Sequence, residues 1–111
     1  MDYSTRYEIC IGLNDGDTKQ QKFPIEKYEE VVINVCKGYK VAYSVDELKG
    51  GYIHEDGTYV RENSVRILLI GASEELVNEI ANDLCAFFNQ ESVLVMKSET
   101  QCYFVSNRIE K

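Results

Sequence analysis

A chain of 111 residues with 44% hydrophobic and 28% charged side chains holds one domain, residues 1–111, with apolar content enough for a modest core; a two-domain division and extensive disorder are excluded. Its formal net charge of -7 repels nucleic-acid backbones and anionic bilayers, which argues against DNA, RNA or membrane partners. A small ligand is still allowed, because a few charges gathered in one pocket outweigh a diffuse surface field.

The opening residues Met1 to Arg6 carry an acid and no apolar segment of signal-peptide type, and no run approaches the length of a membrane span, so a cytoplasmic protein is expected. Cys10, Cys36, Cys85 and Cys102 fall in separate apolar patterns without zinc-like spacing, which predicts free thiols and no metal.

Tyr3 to Leu13 alternates as a strand, with Tyr7, Ile9, Ile11 and Leu13 on one face. Gly12 in that strand marks a place where another group can approach the backbone. Asn14 to Thr18 follows as a polar turn; it resembles the opening of a calcium loop but has no glutamate at the twelfth position. Pro24 suits the first turn of a helix whose apolar stripe is Tyr28, Val31, Val32, Val35 and Cys36, ending at Gly38 as a left-handed cap. Lys40 to Val45 alternates again, predicting a second strand.

Tyr52 to Arg61 reads as a hairpin with Asp56-Gly57 at its tip, and the lone histidine, His54, as a surface hydrogen-bonder within it. Val65 to Ile70 is the most continuous apolar run and predicts a central strand. Arg66 interrupts it; such a charge points past the sheet edge, pairs with an acidic neighbour or is held by an anion, because burying it unpaired would be costly. Ser73 caps a second helix whose stripe is Leu76, Ile80, Leu84 and Phe88, flanked by Val77, Ala81 and Cys85. Val93 to Met96 and Cys102 to Val105 read as two further strands separated by polar residues. Between the second helix and the first of these stands the corner Phe87-Phe88-Asn89-Gln90-Glu91-Ser92, which gathers aromatics, amides and a carboxylate.

These elements predict the α+β class: a ferredoxin-like βαββαβ sandwich with two helices on one face of an antiparallel sheet, an inserted β-hairpin and an extra C-terminal strand. The uncovered sheet face makes association of copies an expectation.

Ile11 to Asp15, Gly51 to Thr58, Glu62 with Ser64 to Leu69, and Phe88 to Val93 together resemble the phage and prophage Thoeris anti-defence proteins, the Tad sponges of the first type. The resemblance implies a binder without turnover, not an enzyme. It would act in the cytoplasm of the host bacterium, sequestering glycocyclic ADP-ribose, the cyclic ADP-ribose isomer made by TIR-domain enzymes, and in some members cyclic oligonucleotides of CBASS immunity. Such proteins form homodimers, sometimes three in a hexamer, with pockets between protomers and no cofactor. Adenine, riboses and a pyrophosphate would need an aromatic wall, amides and cations. Phe87 or Phe88 is the expected wall, with burial in the core the competing fate of Phe88. Asn89 and Gln90 are the expected edge readers, and Arg61, Arg66, Lys97 and Arg108 the phosphate partners. A protein-interaction module without a nucleotide is the alternative. An enzyme on the same nucleotides would need a general base and an activated water, and no such dyad is recognisable.

Overall fold

A computed structural model describes residues 2–108. The chain forms β1 (Asp2–Gly12), α1 (Ile25–Gly38), β2 (Ser44–Leu48), β3 (Gly51–Ile53), β4 (Tyr59–Arg61), β5 (Ser64–Ile70), α2 (Glu74–Phe87) and β6 (Leu94–Cys102). The main sheet has the order β2-β5-β1-β6 and every pairing in it is antiparallel. β3 and β4 make a separate two-stranded ribbon. This is the ferredoxin-like α+β sandwich with an inserted hairpin that the alternation of periods predicts.

Period-two alternation in the central strands turns Tyr7, Ile9 and Ile11 of β1, and Val65, Ile67 and Leu69 of β5, toward one face, where all six are buried. Tyr28, Val32 and Cys36 of α1 meet them, together with Val77, Ile80, Ala81 and Leu84 of α2. Each fully buried large aliphatic contributes about 1.5–3 kcal/mol relative to exposure, so this single layer carries the stability. Ser73 caps α2, its hydroxyl accepting from the Leu76 N–H at 3.2 Å. The helices are tied together where the Tyr39 hydroxyl donates to Asp83 Oδ2 at 2.6 Å. That bond, with some burial and the nearby carboxylate charge, pushes the Tyr39 phenol up to about 12.

Three local readings change. Gly38 is the last residue of α1; Tyr39 follows in a right-handed conformation, and the left-handed position is Lys40, with φ 56°. Residues 40–43 therefore leave the helix rather than begin a strand. The Val41 N–H returns to the Cys36 carbonyl, and Val41 and Tyr43 pack on the core edge, which accounts for their apolar alternation. β2 starts only at Ser44.

At the other end of the chain, Leu94 to Cys102 is one continuous strand, running through the polar stretch and paired with β1 from Cys10↔Leu94 to Asp2↔Cys102. Backbone pairing sustains this edge strand without an apolar pattern. Tyr103 to Val105 lie beyond it, outside any strand and exposed. All four cysteines are free thiols. Among the described residues no helix is long and apolar enough to cross a membrane.

Candidate functional site

β1 ends and β5 begins at the same edge of the sheet, where Gly12 pairs with Ser64. Three connections meet there: the loop after β1, the hairpin with its return into β5, and the corner between α2 and β6. They enclose a cleft of about 390 Å³.

The loop is closed on itself by an Asn14↔Gln21 bridge and organised by Asp15, the one buried charged side chain among the described residues, 6% exposed. Asp15 Oδ2 accepts from the N–H groups of Asp17 and Thr18 at 2.9 and 3.1 Å. Oδ1 accepts from Asn89 Nδ2 at 3.1 Å and lies 3.3 Å from Lys22 Nζ. The Thr18 N–H, the Asn89 amide and the Asp17 N–H, with a smaller contribution from Lys22, hold its carboxyl well below the usual carboxylate range. The same clamp joins backbone to backbone. The Gly16 N–H donates to the Asn89 carbonyl at 2.9 Å, and a Cβ on Gly16 would lie 2.7 Å from that oxygen. Asn89 itself sits at φ 51°, a region where asparagine is tolerated better than most residues.

A carboxyl group whose folded-state value lies below its unfolded value of about 3.9 contributes stability that is present above that value and is lost as pH falls through the folded one. Asp15→Asn should therefore melt below the wild type at pH 7, and the difference should narrow as pH is taken below about 4. Thermal melts between pH 7 and pH 3 check this; a constant difference would mean that the ionised carboxylate is not what ties the loop.

The hairpin supplies the opposite wall. Tyr52 and Val60 are cross-strand partners and both line the cleft, with His54 at the rim. The hairpin's stem is fixed by Leu13 N–H to the Asn63 carbonyl at 2.9 Å, Glu62 N–H to the Gly50 carbonyl at 3.0 Å, and Asn14 Nδ2 to the Arg61 carbonyl at 3.0 Å. Glu62 then folds inward. Its Oε2 accepts from the Asn14 N–H at 3.1 Å, and its carboxylate lies against Gly12 so closely that a Cβ there would sit 2.5 Å from Cδ. The close approach expected at Gly12 is thus that of the Glu62 carboxylate. From the corner come Gln90, whose Nε2 donates to the Asn14 carbonyl at 2.6 Å, and Glu91 and Ser92.

Of the residues expected to hold a ligand, Gln90 lines the cleft and Asn89 builds its wall, its amide committed to Asp15 and to Asp17 Oδ2 at 3.0 Å. Phe88 is core, 5% exposed and edge-on to Tyr28 at 5.1 Å. Phe87 is 68% exposed and does not line the cleft, whose aromatic wall is Tyr52.

The four expected cations are not brought together. Arg66 points to the open sheet face, since its neighbours Val65 and Ile67 are buried on the other, and pairs with Asp46 at 2.7 Å. Lys97 pairs with Glu74 at 3.2 Å, Arg61 extends from the hairpin outside the cleft lining, and Arg108 follows β6 as an exposed residue. What sequence reasoning missed is the loop and hairpin half of the site: Asn14, Asp15, Lys19, Tyr52, Val60 and Glu62. Gly12 was the available signal for Glu62, but it named no partner.

The model of the S-adenosylmethionine lyase family matches residues 16–110. A phage SAM lyase solved in complex with S-methyl-5'-thioadenosine is 31% identical, with 86% of this chain and 81% of that one covered at a TM-score of 0.66. A phage SAM lyase in the apo state is 30% identical over 98% and 92% of the two chains, TM-score 0.64. The nitrogen regulatory PII-like protein CPII from Thiomonas intermedia K12, bound to ADP, AMP and bicarbonate, shares the fold at 18% identity, with 95% and 98% coverage and a TM-score of 0.55. No curated protein matches the chain. The expectation of a non-enzyme is overturned by these findings, because the matched family and both phage relatives are lyases.

Proposed function

The chain belongs to the S-adenosylmethionine lyase family, and on that premise we propose that it cleaves S-adenosylmethionine in the cleft between the β1 loop, the hairpin and the α2–β6 corner. The observation that carries this reading is the Glu62 carboxylate, lodged against Gly12 in a cleft that also holds Asp15 and Glu91. The substrate has a sulfonium, an ammonium and one carboxylate, hence a net positive charge, and an acidic cleft attracts it. The pyrophosphate of glycocyclic ADP-ribose, or the phosphates of a cyclic oligonucleotide, would meet the same carboxylates as like charges.

S-methyl-5'-thioadenosine, bound to the phage relative, supports a reaction in which sulfur keeps the adenosyl and methyl groups and parts from Cγ of the aminobutyrate. A lyase needs no water for this. The substrate's own carboxylate attacks Cγ, the C–S electron pair stays on sulfur, and the sulfonium and carboxylate charges cancel. The products are S-methyl-5'-thioadenosine and homoserine lactone, with no proton transferred. Removing a Cβ proton to give an alkene instead would ask for a far stronger base than a side-chain carboxylate, whereas well-oriented intramolecular attack has an effective molarity of about 10⁵–10⁸ M.

The division of labour follows from how charge moves. The sulfonium loses its charge in the transition state, so a carboxylate placed beside it would favour the reactant. The ammonium keeps its charge throughout, so Glu62 held on the ammonium grips the aminobutyrate without opposing the reaction. Tyr52 offers a stacking face for adenine, and Gln90 and Ser92 offer donors and acceptors for base and ribose. The anti-defence role expected from the Tad resemblance would then rest on consuming a methyl donor rather than capturing a signal.

Purified protein incubated with S-adenosylmethionine should yield S-methyl-5'-thioadenosine and homoserine lactone in equal amounts by chromatography and mass spectrometry. Intact substrate recovered quantitatively after denaturation would overturn the reading.

A further inference from the structure

Resting on the lyase reading, we propose that Asn14 is the positioning residue for Glu62: its side chain fixes the backbone from which that carboxylate is aimed at the substrate. Asn14 lines the cleft, and its polar groups go to three separate parts of it. The N–H donates to Glu62 Oε2 at 3.1 Å. The side-chain Nδ2 donates to the Arg61 carbonyl at 3.0 Å, and the Asn14 carbonyl accepts from Gln90 Nε2 at 2.6 Å.

The peptide unit between Arg61 and Glu62 is thereby held from both sides. Its carbonyl accepts from the Asn14 side chain, while its N–H donates to the Gly50 carbonyl at 3.0 Å. One residue further on, the Asn63 carbonyl accepts from the Leu13 N–H at 2.9 Å. Glu62 thus leaves a backbone that cannot turn, and its carboxylate is delivered against Gly12, where a Cβ would lie 2.5 Å from Cδ.

Two of the Asn14 contacts use its backbone, and any residue but proline would keep them. The contact to Arg61 is different, because it takes a side-chain donor. Aspartate has the same shape but only accepts when ionised, so at this position it would turn a carboxylate oxygen toward a carbonyl oxygen. Asn14 is assigned no contact with the reacting atoms and acts through Glu62. Lactone closure requires the aminobutyrate arm to be folded so that its carboxylate reaches Cγ, and a misplacement of about 1 Å costs about 10²-fold in rate. A freed 61–62 peptide shifts the root of Glu62, and with it the ammonium that Glu62 grips.

Asn14→Ala and Asn14→Asp test this in the full-length protein, alone and combined with Glu62→Gln. Asn14→Ala should lower kcat/KM for S-adenosylmethionine by about ten- to a hundredfold, and Asn14→Asp by at least as much. The Asn14 carbonyl survives both substitutions, so Gln90 keeps its partner. The Kd for S-methyl-5'-thioadenosine by calorimetry should therefore stay within about twofold, where ordinary surface substitutions leave it. In the Glu62→Gln background the charge being aimed is already gone, so Asn14→Ala should add less than about a further twofold. Near-normal kcat/KM in both single variants overturns the assignment. Fully additive losses in the double variant, or a parallel weakening of S-methyl-5'-thioadenosine, also overturn it, since either would mark a role in the loop at large. Failure of the wild-type protein to form S-methyl-5'-thioadenosine would bring down the lyase reading, and the positioning role with it.

Discussion

Glu62→Gln should lower turnover of S-adenosylmethionine by about 10²–10³ while the melting temperature and the affinity for S-methyl-5'-thioadenosine stay near wild-type values. Glutamine keeps the shape and can still accept from the Asn14 N–H, which the wild-type carboxylate does at 3.1 Å, so the fold has no reason to change. What disappears is the charge opposite the substrate's ammonium. Truncating one partner of a desolvated, hydrogen-bonded charge pair costs about 2–5 kcal/mol, and each 1.36 kcal/mol is about tenfold in rate. Product affinity is the discriminating readout, since the product carries no ammonium. Steady-state kinetics with near-normal kcat/KM would remove Glu62 from the mechanism.

Gly12→Ala should reach nearly the same loss from the other side of the contact. The added methyl carbon would lie 2.5 Å from Cδ and Oε2 of Glu62 and 2.7 Å from Oε1, distances that real carbon atoms do not keep. The obstruction is the end of a flexible side chain rather than backbone, so Glu62 swings away and the strand stays paired at Gly12↔Ser64. Stability should change by less than about 1 kcal/mol, with activity down about 10²-fold or more. Because both substitutions act through one contact, the double variant should be no worse than Glu62→Gln alone; additive losses would show that Gly12 matters for another reason.

Much of the architecture was legible from period and punctuation. Alternation in Tyr7, Ile9 and Ile11, four-residue spacing through Ile80, Leu84 and Phe88, the Ser73 cap and the Asp56-Gly57 tip each have a local cause, and each holds. The departures at residues 40–43 and 98–101 occur where tertiary context decides: two apolar residues lean on a helix end, and an edge strand is held by its neighbour's backbone rather than by its own side chains.

The site was legible only by segment. Of the stretches that carry the Tad resemblance, those at the end of β1, in the hairpin, at Glu62 and at the α2–β6 corner contribute to the cleft, whereas Ser64 to Leu69 lie in β5. Which charges face one another was not, because it depends on strand faces and on contacts between residues far apart in sequence, such as Asn14 with Glu62. The absence of a recognisable base and water dyad was weighed against an enzyme acting on nucleotides, and the lyase relatives overturn that conclusion. It carried no weight against a displacement in which the substrate brings its own nucleophile.

The clamp between Asp15 and Asn89 spans 74 positions of sequence, and the neighbouring strands β1 and β6 lie at opposite ends of the chain order. Contacts of such long range slow folding. On the ribosome, a nascent chain already carrying Gly12 and Glu62 still lacks the wall that Gln90 and Glu91 provide, so the cleft is incomplete until the last strand has been made. On the lyase reading, a ligand-ready cleft and completion of the polypeptide would arrive together, since β6 is the last strand to emerge and pairs with β1, the first.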